Sequence, residues 1–450
     1  MSKSKVANSQ RVGKLEKFGF LIMNIGNIPL MTLLSTYFLI FYTDVVGLSA
    51  GAIATLFLVS KIVDGISDPL MGFLLDRFPV TKYGKFRPLL VIGTIICVIN
   101  YILLWFGAVW SPVAKYVIVY ATYLLLGITF DIMDISLNSL LPTMTTDNSE
   151  RNSLSSIKAI GYTAGTIAIS ILGPVIVASG TLESYYVLIF GFMVVVLVGS
   201  IVGVLFVHER AEFHEDKAES YSVKELLHFL VTRPVLVTFA TNLIYQALTG
   251  CASGSNTYFY TYIIGNLALL SVATIVGTIA IIPGIILSPI LANRIGKKKT
   301  YVIGLLFFGA GMGFRLFAPT SMTLVYVGTA VTYLGSGLAM TLQYGIQADN
   351  TTYVQYTTGK HAEAAIASLS SFITKCAQGI AGALPGYILA WTGYVANAEV
   401  QTSMATSGII VAAIVIPFIG AIAAAIVFGV FYPLDKKKID EMAEANNAKA

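Results

Sequence analysis

Residues 89–110 read LLVIGTIICVINYILLWFGAVW and contain no charged side chain. A helix needs about 20 apolar residues to cross the hydrocarbon core of a bilayer, and this stretch is long enough. Similar stretches lie on either side of it, so the sequence predicts twelve membrane-spanning helices. The predicted spans cover residues 18–43, 50–75, 89–110, 116–141, 156–179, 185–207, 235–263, 267–292, 300–318, 321–347, 363–390 and 406–432.

The composition also indicates a membrane protein. Apolar residues make up 56% of the chain and charged residues 11%, whereas a soluble globular protein carries about 25% charged residues. Cys97, Cys251 and Cys376 lie within apolar spans without paired spacing, which indicates neither a disulfide framework nor a zinc site. Because the chain shows no nucleophile–base pair, phosphate loop or metal motif, we expect neither an enzyme nor a bound cofactor.

The basic residues predict the topology. Short cytoplasmic loops of membrane proteins are enriched in lysine and arginine. Of the 28 basic residues, 23 fall in the two termini and in every second connection, whereas Lys115 and Arg315 lie on the opposite side. Both termini are therefore expected in the cytoplasm, with the chain in the cytoplasmic (inner) membrane. Membrane orientation also accounts for the net charge of +5, so no nucleic-acid partner is expected.

The longest polar connection divides the spans into two sets of six. Within it, residues 222–230 (SVKELLHFL) predict a capped amphipathic helix at the membrane surface. A weak internal repeat, between Ser67-Asp68-Pro69-Leu70 and Ser288-Pro289-Ile290-Leu291, agrees with two related halves. The predicted fold is an all-α membrane protein with two six-helix bundles. Its predicted parts are an N-terminal bundle (1–207), a linker (208–234), a C-terminal bundle (235–432) and a cytoplasmic tail (433–450).

Seven ionisable residues stand out inside the predicted spans. Each costs about 2.5 to 3.5 kcal/mol on insertion scales, so such residues usually mark a pathway or a binding site. Structural ion pairs that lock helices together are the alternative explanation, and Lys61 suits it best. The seven are Lys61, Asp64, Asp68, Asp131, Asp134, Lys158 and Lys375.

The spacing of these residues favours a coupling site. Lys61, Asp64 and Asp68 follow an i, i+3, i+7 pattern on one helical face, and Asp131 and Asp134 share a face in the same way. Several carboxylates in one cavity require a bound cation, a proton or a lysine. Oxygen ligands without sulfur or imidazole suit a monovalent ion such as Na+, or H+, rather than a transition metal. All four histidines lie in cytoplasmic segments, so any proton coupling must use carboxylates.

Several motifs resemble one transporter family. Residues 64–77 (DGISDPLMGFLLDR) and 82–88 (KYGKFRP) resemble the signature of the glycoside-pentoside-hexuronide:cation symporters, a melibiose permease-like family of the major facilitator superfamily. The resemblance spans nearly the whole chain and implies the major facilitator fold. Further matching stretches are 41–49 (FYTDVVGLS), 134–142 (DISLNSLLP), Ala348-Asp349, Thr358-Gly359-Lys360 and Lys375.

The resemblance implies roles for individual residues. Asp64, Ser67 and Asp68 would line the cation site, with Asp64 and Asp68 as ligands of a monovalent metal ion. Asp134 and Lys375 would lie in the central cavity near both sugar and cation.

Two further roles follow from the same resemblance. Lys158 matches a family arginine that contacts the sugar, after a shift of one residue in the alignment. A cytoplasmic motif would stabilise one gating state, and its members here are Gly72, Asp76, Arg77, Lys85 and Arg87.

Three positions depart from the family pattern. In the family, an aspartate near the position of Asn27 binds sugar hydroxyls. A tryptophan at the position of Asn138 packs against the sugar ring. Asp131 replaces a threonine that helps to hold sodium. The additional carboxylate is expected either to tighten the ion site or to shift coupling toward protons.

Together these observations predict a secondary symporter, working as a monomer in the lipid bilayer, that couples uptake of a sugar or glycoside to Na+ or H+ by alternating access. Two lysines could instead receive an anionic sugar such as a hexuronide. Because the sugar-binding positions at Asn27 and Asn138 depart from the family pattern, a lipid-like or drug-like solute is a further alternative. The predicted substrate-binding residues are Asn27, Asp131, Asp134, Asn138, Lys158 and Lys375, and the predicted cation-binding residues are Asp64, Ser67, Asp68 and Asp131.

Overall fold

The computed structural model describes residues 11–27, 29–145, 147–210, 231–358 and 363–447, and regular structure within them is helical. Two π-helical turns, Phe41–Val45 and Phe259–Ile263, extend the C-terminal ends of α-helices, and a third, Val411–Val415, lies between two α-helices. In chain order the α-helices are α1 (Lys14–Asn27), α2 (Pro29–Ile40), α3 (Ala50–Asp76), α4 (Phe86–Trp110), α5 (Lys115–Met144), α6 (Asn148–Ile176), α7 (Leu182–Phe206), α8 (Arg233–Tyr258), α9 (Leu269–Ile295), α10 (Lys297–Phe317), α11 (Met322–Met340), α12 (Gln343–Thr358), α13 (Glu363–Trp391), α14 (Ser403–Ile410), α15 (Ile416–Phe431) and α16 (Lys436–Asn447).

The predicted spans coincide with helices. In the described part of the chain, 10 helical segments are long and apolar enough to cross a membrane. The two remaining predicted spans correspond to α3 and α13, which have 27 and 29 residues and are also long enough. The prediction of an all-α membrane protein is therefore confirmed.

The chain divides into two compact units, Met1–Asp216 and Lys217–Ala450. The division falls inside the predicted linker. Residues 211–230, which include the predicted amphipathic helix together with His214 and His228, lie outside the described residues, as does His361.

Small residues set the spacing of helices in unit 1. A Cβ atom added at Gly161 in α6 would lie 2.9 Å from the carbonyl oxygen of Leu21 in α1. One added at Gly26, also in α1, would lie 2.9 Å from the Cα atom of Val196 in α7. Glycines at these points allow backbones to approach closely, as they commonly do between membrane helices.

Unit 2 uses the same device between α9, α10 and α11. A Cβ atom at Gly337 would lie 2.5 Å from the carbonyl oxygen of Ile281, and one at Gly304 would lie 2.9 Å from that of Gly335. The helices run unbroken through these contacts. The glycines therefore serve close packing of the three helices.

The two units share one kind of turn. Phe41-Tyr-Thr in unit 1 and Phe259-Tyr-Thr in unit 2 each begin a π-helical turn, and a glycine, Gly47 or Gly265, follows two residues after the turn with φ of 77° or 78°. Positive φ favours glycine at these positions. In both turns the amide five residues on donates to the first phenylalanine carbonyl at 3.1 Å. A 27-residue helix, α3 or α9, then follows.

Candidate functional site

In unit 1, α3 and α5 bring charged side chains together. Lys61 Nζ lies 2.7 Å from Asp64 Oδ2, so these residues form an ion pair one turn apart on α3. The carboxylate of Asp64 packs against Gly127 of α5, where an added Cβ would lie 2.6 Å from Asp64 Oδ1. Gly127 therefore leaves the space on α5 that this carboxylate fills.

Asp131 follows Gly127 by one turn of α5 and interacts electrostatically with Asp64, Asp134 and Lys61. Its Oδ2 atom is buried and makes no hydrogen bond to a described residue. Buried carboxylate oxygens normally accept a hydrogen bond or contact a cation. Asp131 Oδ2 is thus a free acceptor beside two like charges.

Asp134 lies at the centre of a hydrogen-bond chain. Its Oδ1 atom accepts from Asn27 Nδ2 at 3.2 Å, and its Oδ2 atom accepts from Asn138 Nδ2 at 2.9 Å. Asn138 Oδ1 in turn accepts from Lys158 Nζ of α6. Helices α1, α5 and α6 thereby meet through four predicted substrate residues, and the amide and carboxylate groups present the acceptors and donors that a sugar requires.

Ser67 is buried on α3, and its hydroxyl donates to the Asp64 carbonyl at 3.5 Å. The side chains of Asp68 and Asp76, and the surroundings of Gly72, lie outside the described part of α3. Where side chains are described, no group of three histidine, cysteine or acidic residues surrounds a metal position. The cation site at Asp64, Ser67, Asp68 and Asp131 therefore stays a prediction.

Unit 2 contains a cavity of about 600 Å3. This volume falls within the range of about 300–1,000 Å3 that is typical of small-molecule sites. Lys375 of α13 is the one charged residue among the residues described as lining it. They are Thr238, Phe239, Asn242, Gln246, Tyr301, Gln343, Tyr344, Ile346, Gln347, Ala367, Ser370, Ser371, Thr374, Lys375, Gln378 and Phe428.

Amide side chains organise one wall of this cavity. Asn242 Oδ1 accepts from Gln246 Nε2 at 2.6 Å and from Gln343 Nε2 at 3.3 Å. Gln343 begins α12, directly after a two-residue turn at Thr341 and Leu342 that separates it from α11. Interrupted helices often form the solute sites of transporters. The sequence analysis identified Lys375 but missed the amides, which stand out only once the cavity is known.

The predicted gating loop is held inside unit 1. The backbone amides of Lys85, Phe86 and Arg87 donate to the Glu209 carboxylate at 2.9, 2.9 and 2.8 Å. The Arg87 guanidinium donates to the Val204 carbonyl at 3.2 and 2.9 Å through Nε and Nη2. Glu209 thus caps the N-terminus of α4, where a negative charge is stabilising.

The sequence analysis also missed a buried acid, Glu16. Glu16 is 7% exposed, and its carboxylate accepts from Arg210 Nη2 at 2.8 Å and approaches His208 Nδ1 at 3.0 Å. Glu16 precedes the predicted span, so it was counted with the polar N-terminus, whereas α1 begins at Lys14. The sequence feature that could have indicated this contact is the charged triplet His208-Glu209-Arg210, which directly follows the sixth predicted span and supplies the partners of Glu16.

The comparison with protein families settles the class. Residues 19–436 match the family described as "MFS/sugar transport protein". The chain belongs to this family. The transporter is therefore a multi-pass membrane protein rather than an enzyme, as predicted, and the resemblance to the cation symporters is confirmed.

Two relatives align with the transporter over nearly their whole length. The glucuronide carrier protein homolog of Escherichia coli (strain K12) is 30% identical over 442 residues, covering 96% of this chain and 95% of the relative. The isoprimeverose transporter of Lactiplantibacillus pentosus is 31% identical over 449 residues, covering 96% and 91%.

A solved structure agrees on the fold. The crystal structure of the nucleoside transporter NupG matches with a TM-score of 0.65 at 14% identity, covering 94% of this chain and 100% of that one. An identity this low supports the fold alone. The major facilitator fold predicted from the motifs is confirmed.

Proposed function

We propose that this transporter is a secondary symporter that couples uptake of a sugar or glycoside to Na+ or H+ by alternating access. The observation that carries the proposal is the chain from Asn27 through Asp134 and Asn138 to Lys158. It presents hydrogen-bonding groups suited to a sugar, and Asp131 links it electrostatically to Asp64. A solute site and an ion site in such contact favour each other's occupancy by the same factor.

The coupling cation is proposed to bind among Asp64, Ser67, Asp68 and Asp131. Lys61 supplies one positive charge to Asp64, and Asp131 Oδ2 keeps an unused acceptor. The neighbouring carboxylates of Asp64 and Asp131 repel each other, and such repulsion is strong in a medium of low dielectric constant. A bound monovalent cation relieves that repulsion, so cation binding at this site is favourable.

Both neutral and anionic sugars are candidate solutes. The described lining of the unit 2 cavity contains Lys375 and no carboxylate, and an ammonium group pairs well with a carboxylate or a sulfonate. One aligned relative is named for a glucuronide and another for isoprimeverose. Of the 16 residues described as lining the cavity, 11 carry an amide or a hydroxyl group, which favours a sugar over a lipid-like or drug-like solute.

The positive-inside bias supports cytoplasmic termini and insertion in the cytoplasmic membrane. The loop at Lys85 and Arg87, with Gly72, Asp76 and Arg77, is proposed to stabilise one gating state. We propose that a single chain carries the complete site.

Uptake into proteoliposomes tests the proposal. Radiolabelled methyl glucuronide and methyl xyloside would be offered under an inward Na+ gradient, an inward H+ gradient or no gradient. We expect accumulation of at least one sugar above its outside concentration with one of the gradients. If uptake of each sugar under the Na+ gradient and under the H+ gradient equals its uptake without a gradient, the result would contradict symport.

Asp64→Asn tests the ion site. We expect it to abolish gradient-driven accumulation, because the amide has lost the negative charge that attracts the cation. Asp147→Asn is the matched control: Asp147 is exposed and caps α6 by accepting from the Glu150 amide at 2.9 Å, a role that asparagine fills equally well. Equal accumulation by both variants would remove Asp64 from the coupling site.

A further inference from the structure

Unit 2 buries a guanidinium group away from its solute cavity. Arg315 lies near the end of α10 and is 4% exposed. Its Nη2 atom donates to Asn256 Oδ1 at 2.9 Å. The guanidinium carbon also lies 5.2 Å from the centre of the Phe259 ring, a cation–π distance.

These contacts leave the charge of Arg315 uncompensated. Among the residues that the structure describes, no carboxylate pairs with the guanidinium, which interacts electrostatically with Tyr260 and Tyr333 instead. Its Nε atom is buried and donates to no described acceptor. Arginine stays charged in proteins, and a buried charge without a counter-charge is costly.

A second buried donor lies in the same region. Tyr260 follows Phe259 in the π-helical turn and is 1% exposed, and its hydroxyl makes no hydrogen bond to a described residue. The unused groups of Arg315 and Tyr260 include two donors and one full positive charge. Such a set is complementary to an anion.

The corresponding turn of unit 1 shows that the fold does not require a charge here. There Phe41, the counterpart of Phe259, packs against Trp105 with ring centres 5.0 Å apart. An uncharged aromatic side chain, Trp105, thus contacts the phenylalanine of the turn in unit 1, where Arg315 contacts it in unit 2. The guanidinium therefore calls for an explanation beyond packing.

We propose that Arg315 and Tyr260 bind a small monovalent inorganic anion such as chloride at this end of unit 2. The Nε atom of Arg315 and the hydroxyl of Tyr260 donate to the anion, and the guanidinium supplies the counter-charge. Because Arg315 is almost fully buried, the occupant is a single small ion rather than the transported solute.

Thermal unfolding of the purified full-length transporter in detergent tests the site. The midpoint would be measured in sodium chloride and in sodium gluconate at equal concentration, so that Na+ is constant. A ligand that binds only the folded state raises the midpoint, and we expect a rise of about 3 °C in chloride. Equal midpoints in the two salts would overturn the proposal.

Variants assign the effect to the site. We expect Arg315→Gln to lose the chloride response and Tyr260→Phe to reduce it, since the phenyl ring keeps the packing and removes the donor. The control is Arg233→Gln, because Arg233 is an exposed arginine of unit 2 that donates to the Phe431 carbonyl. A full chloride response in Arg315→Gln would place the anion elsewhere.

Wild-type protein supplies a test that does not depend on the folding of a variant. Crystals grown in sodium bromide should show anomalous scattering within hydrogen-bonding distance of Arg315 Nε and the Tyr260 hydroxyl. Peaks only at other positions, or none, would reject the site.

Discussion

Units 1 and 2 begin alike and then diverge in chemistry. In each unit a 27-residue helix, α3 or α9, follows the same Phe-Tyr-Thr turn and a glycine with positive φ. Unit 1 then carries charges on α3, α5 and α6, whereas the described lining of the unit 2 cavity consists of amides, hydroxyls, aromatic and small apolar side chains and a single lysine.

The difference shows that a repeated backbone does not require repeated side chains. Both units use glycines where helices approach closely and share the Phe-Tyr-Thr turn, although the glycine contacts join α1, α6 and α7 in unit 1 and α9, α10 and α11 in unit 2. Residues that face the interior of each unit are free to differ once those contacts are satisfied. The proposed cation site lies in unit 1, whereas amide and hydroxyl side chains make up most of the described lining residues of the unit 2 cavity.

Among the variants that compare the two units, the largest effect is expected from Asp134→Asn, which removes the central charge of the hydrogen-bond chain in unit 1. Asp134 accepts from Asn27 and Asn138, and an amide cannot accept from both with the same strength. Hydrogen bonds to charged groups contribute about 1.5–3 kcal/mol each, so we expect about a hundredfold loss of gradient-driven uptake. Uptake within threefold of wild type would show that the chain through Asp134 does not carry transport.

Close helix contacts at glycine, which occur in both units, are expected to give the next largest effect. Gly337→Ala in unit 2 and Gly161→Ala in unit 1 each place a methyl group against a backbone carbonyl, at 2.5 and 2.9 Å. Overpacking of this kind costs about 1–3 kcal/mol. We expect both variants to lower the thermal midpoint.

Gly429→Ala is the control for this pair, because its added Cβ would lie 3.5 Å from the nearest side-chain atom, Val302 Cγ2. Alanine favours a helix over glycine by about 1 kcal/mol, so this variant should not lose stability. A loss in only one unit would show that the two units depend differently on close packing.

The sequence predicted the features that depend on hydropathy and spacing. Apolar stretches of membrane length located the helices, and the i, i+3 spacing correctly placed Lys61 and Asp64 on one face. The capping role of Glu209 was not predicted, because its partners are backbone amides more than a hundred residues away in the sequence. The amides of the unit 2 cavity escaped for a related reason: asparagine and glutamine have no periodic pattern, and only folding brings Asn242 beside Gln343.

A moderate effect is expected from Lys375→Gln, which would make the described lining of the unit 2 cavity neutral. Loss of one charge-assisted hydrogen bond corresponds to about tenfold in affinity. We expect KM for methyl glucuronide to rise about tenfold, with little change for methyl xyloside. Lys298→Gln is the control, since Lys298 donates to the Tyr432 carbonyl and does not line the cavity. Equal changes for both sugars would assign Lys375 a role other than charge recognition.

The smallest effect is expected from Glu209→Gln, which tests whether the gating loop of unit 1 depends on a charge. Three consecutive amides at the start of α4 donate to this carboxylate, and a negative charge at a helix N-terminus contributes about 0.3–1 kcal/mol when exposed. Because Glu209 is half-buried, we expect a loss of about 1 kcal/mol, measured as a lower denaturant midpoint. Glu183→Gln provides the comparison, since Glu183 is an exposed acid in the first turn of α7. If both variants lose the same small amount, the helix dipole alone explains the result; a larger loss for Glu209→Gln would identify the three amide contacts as its cause.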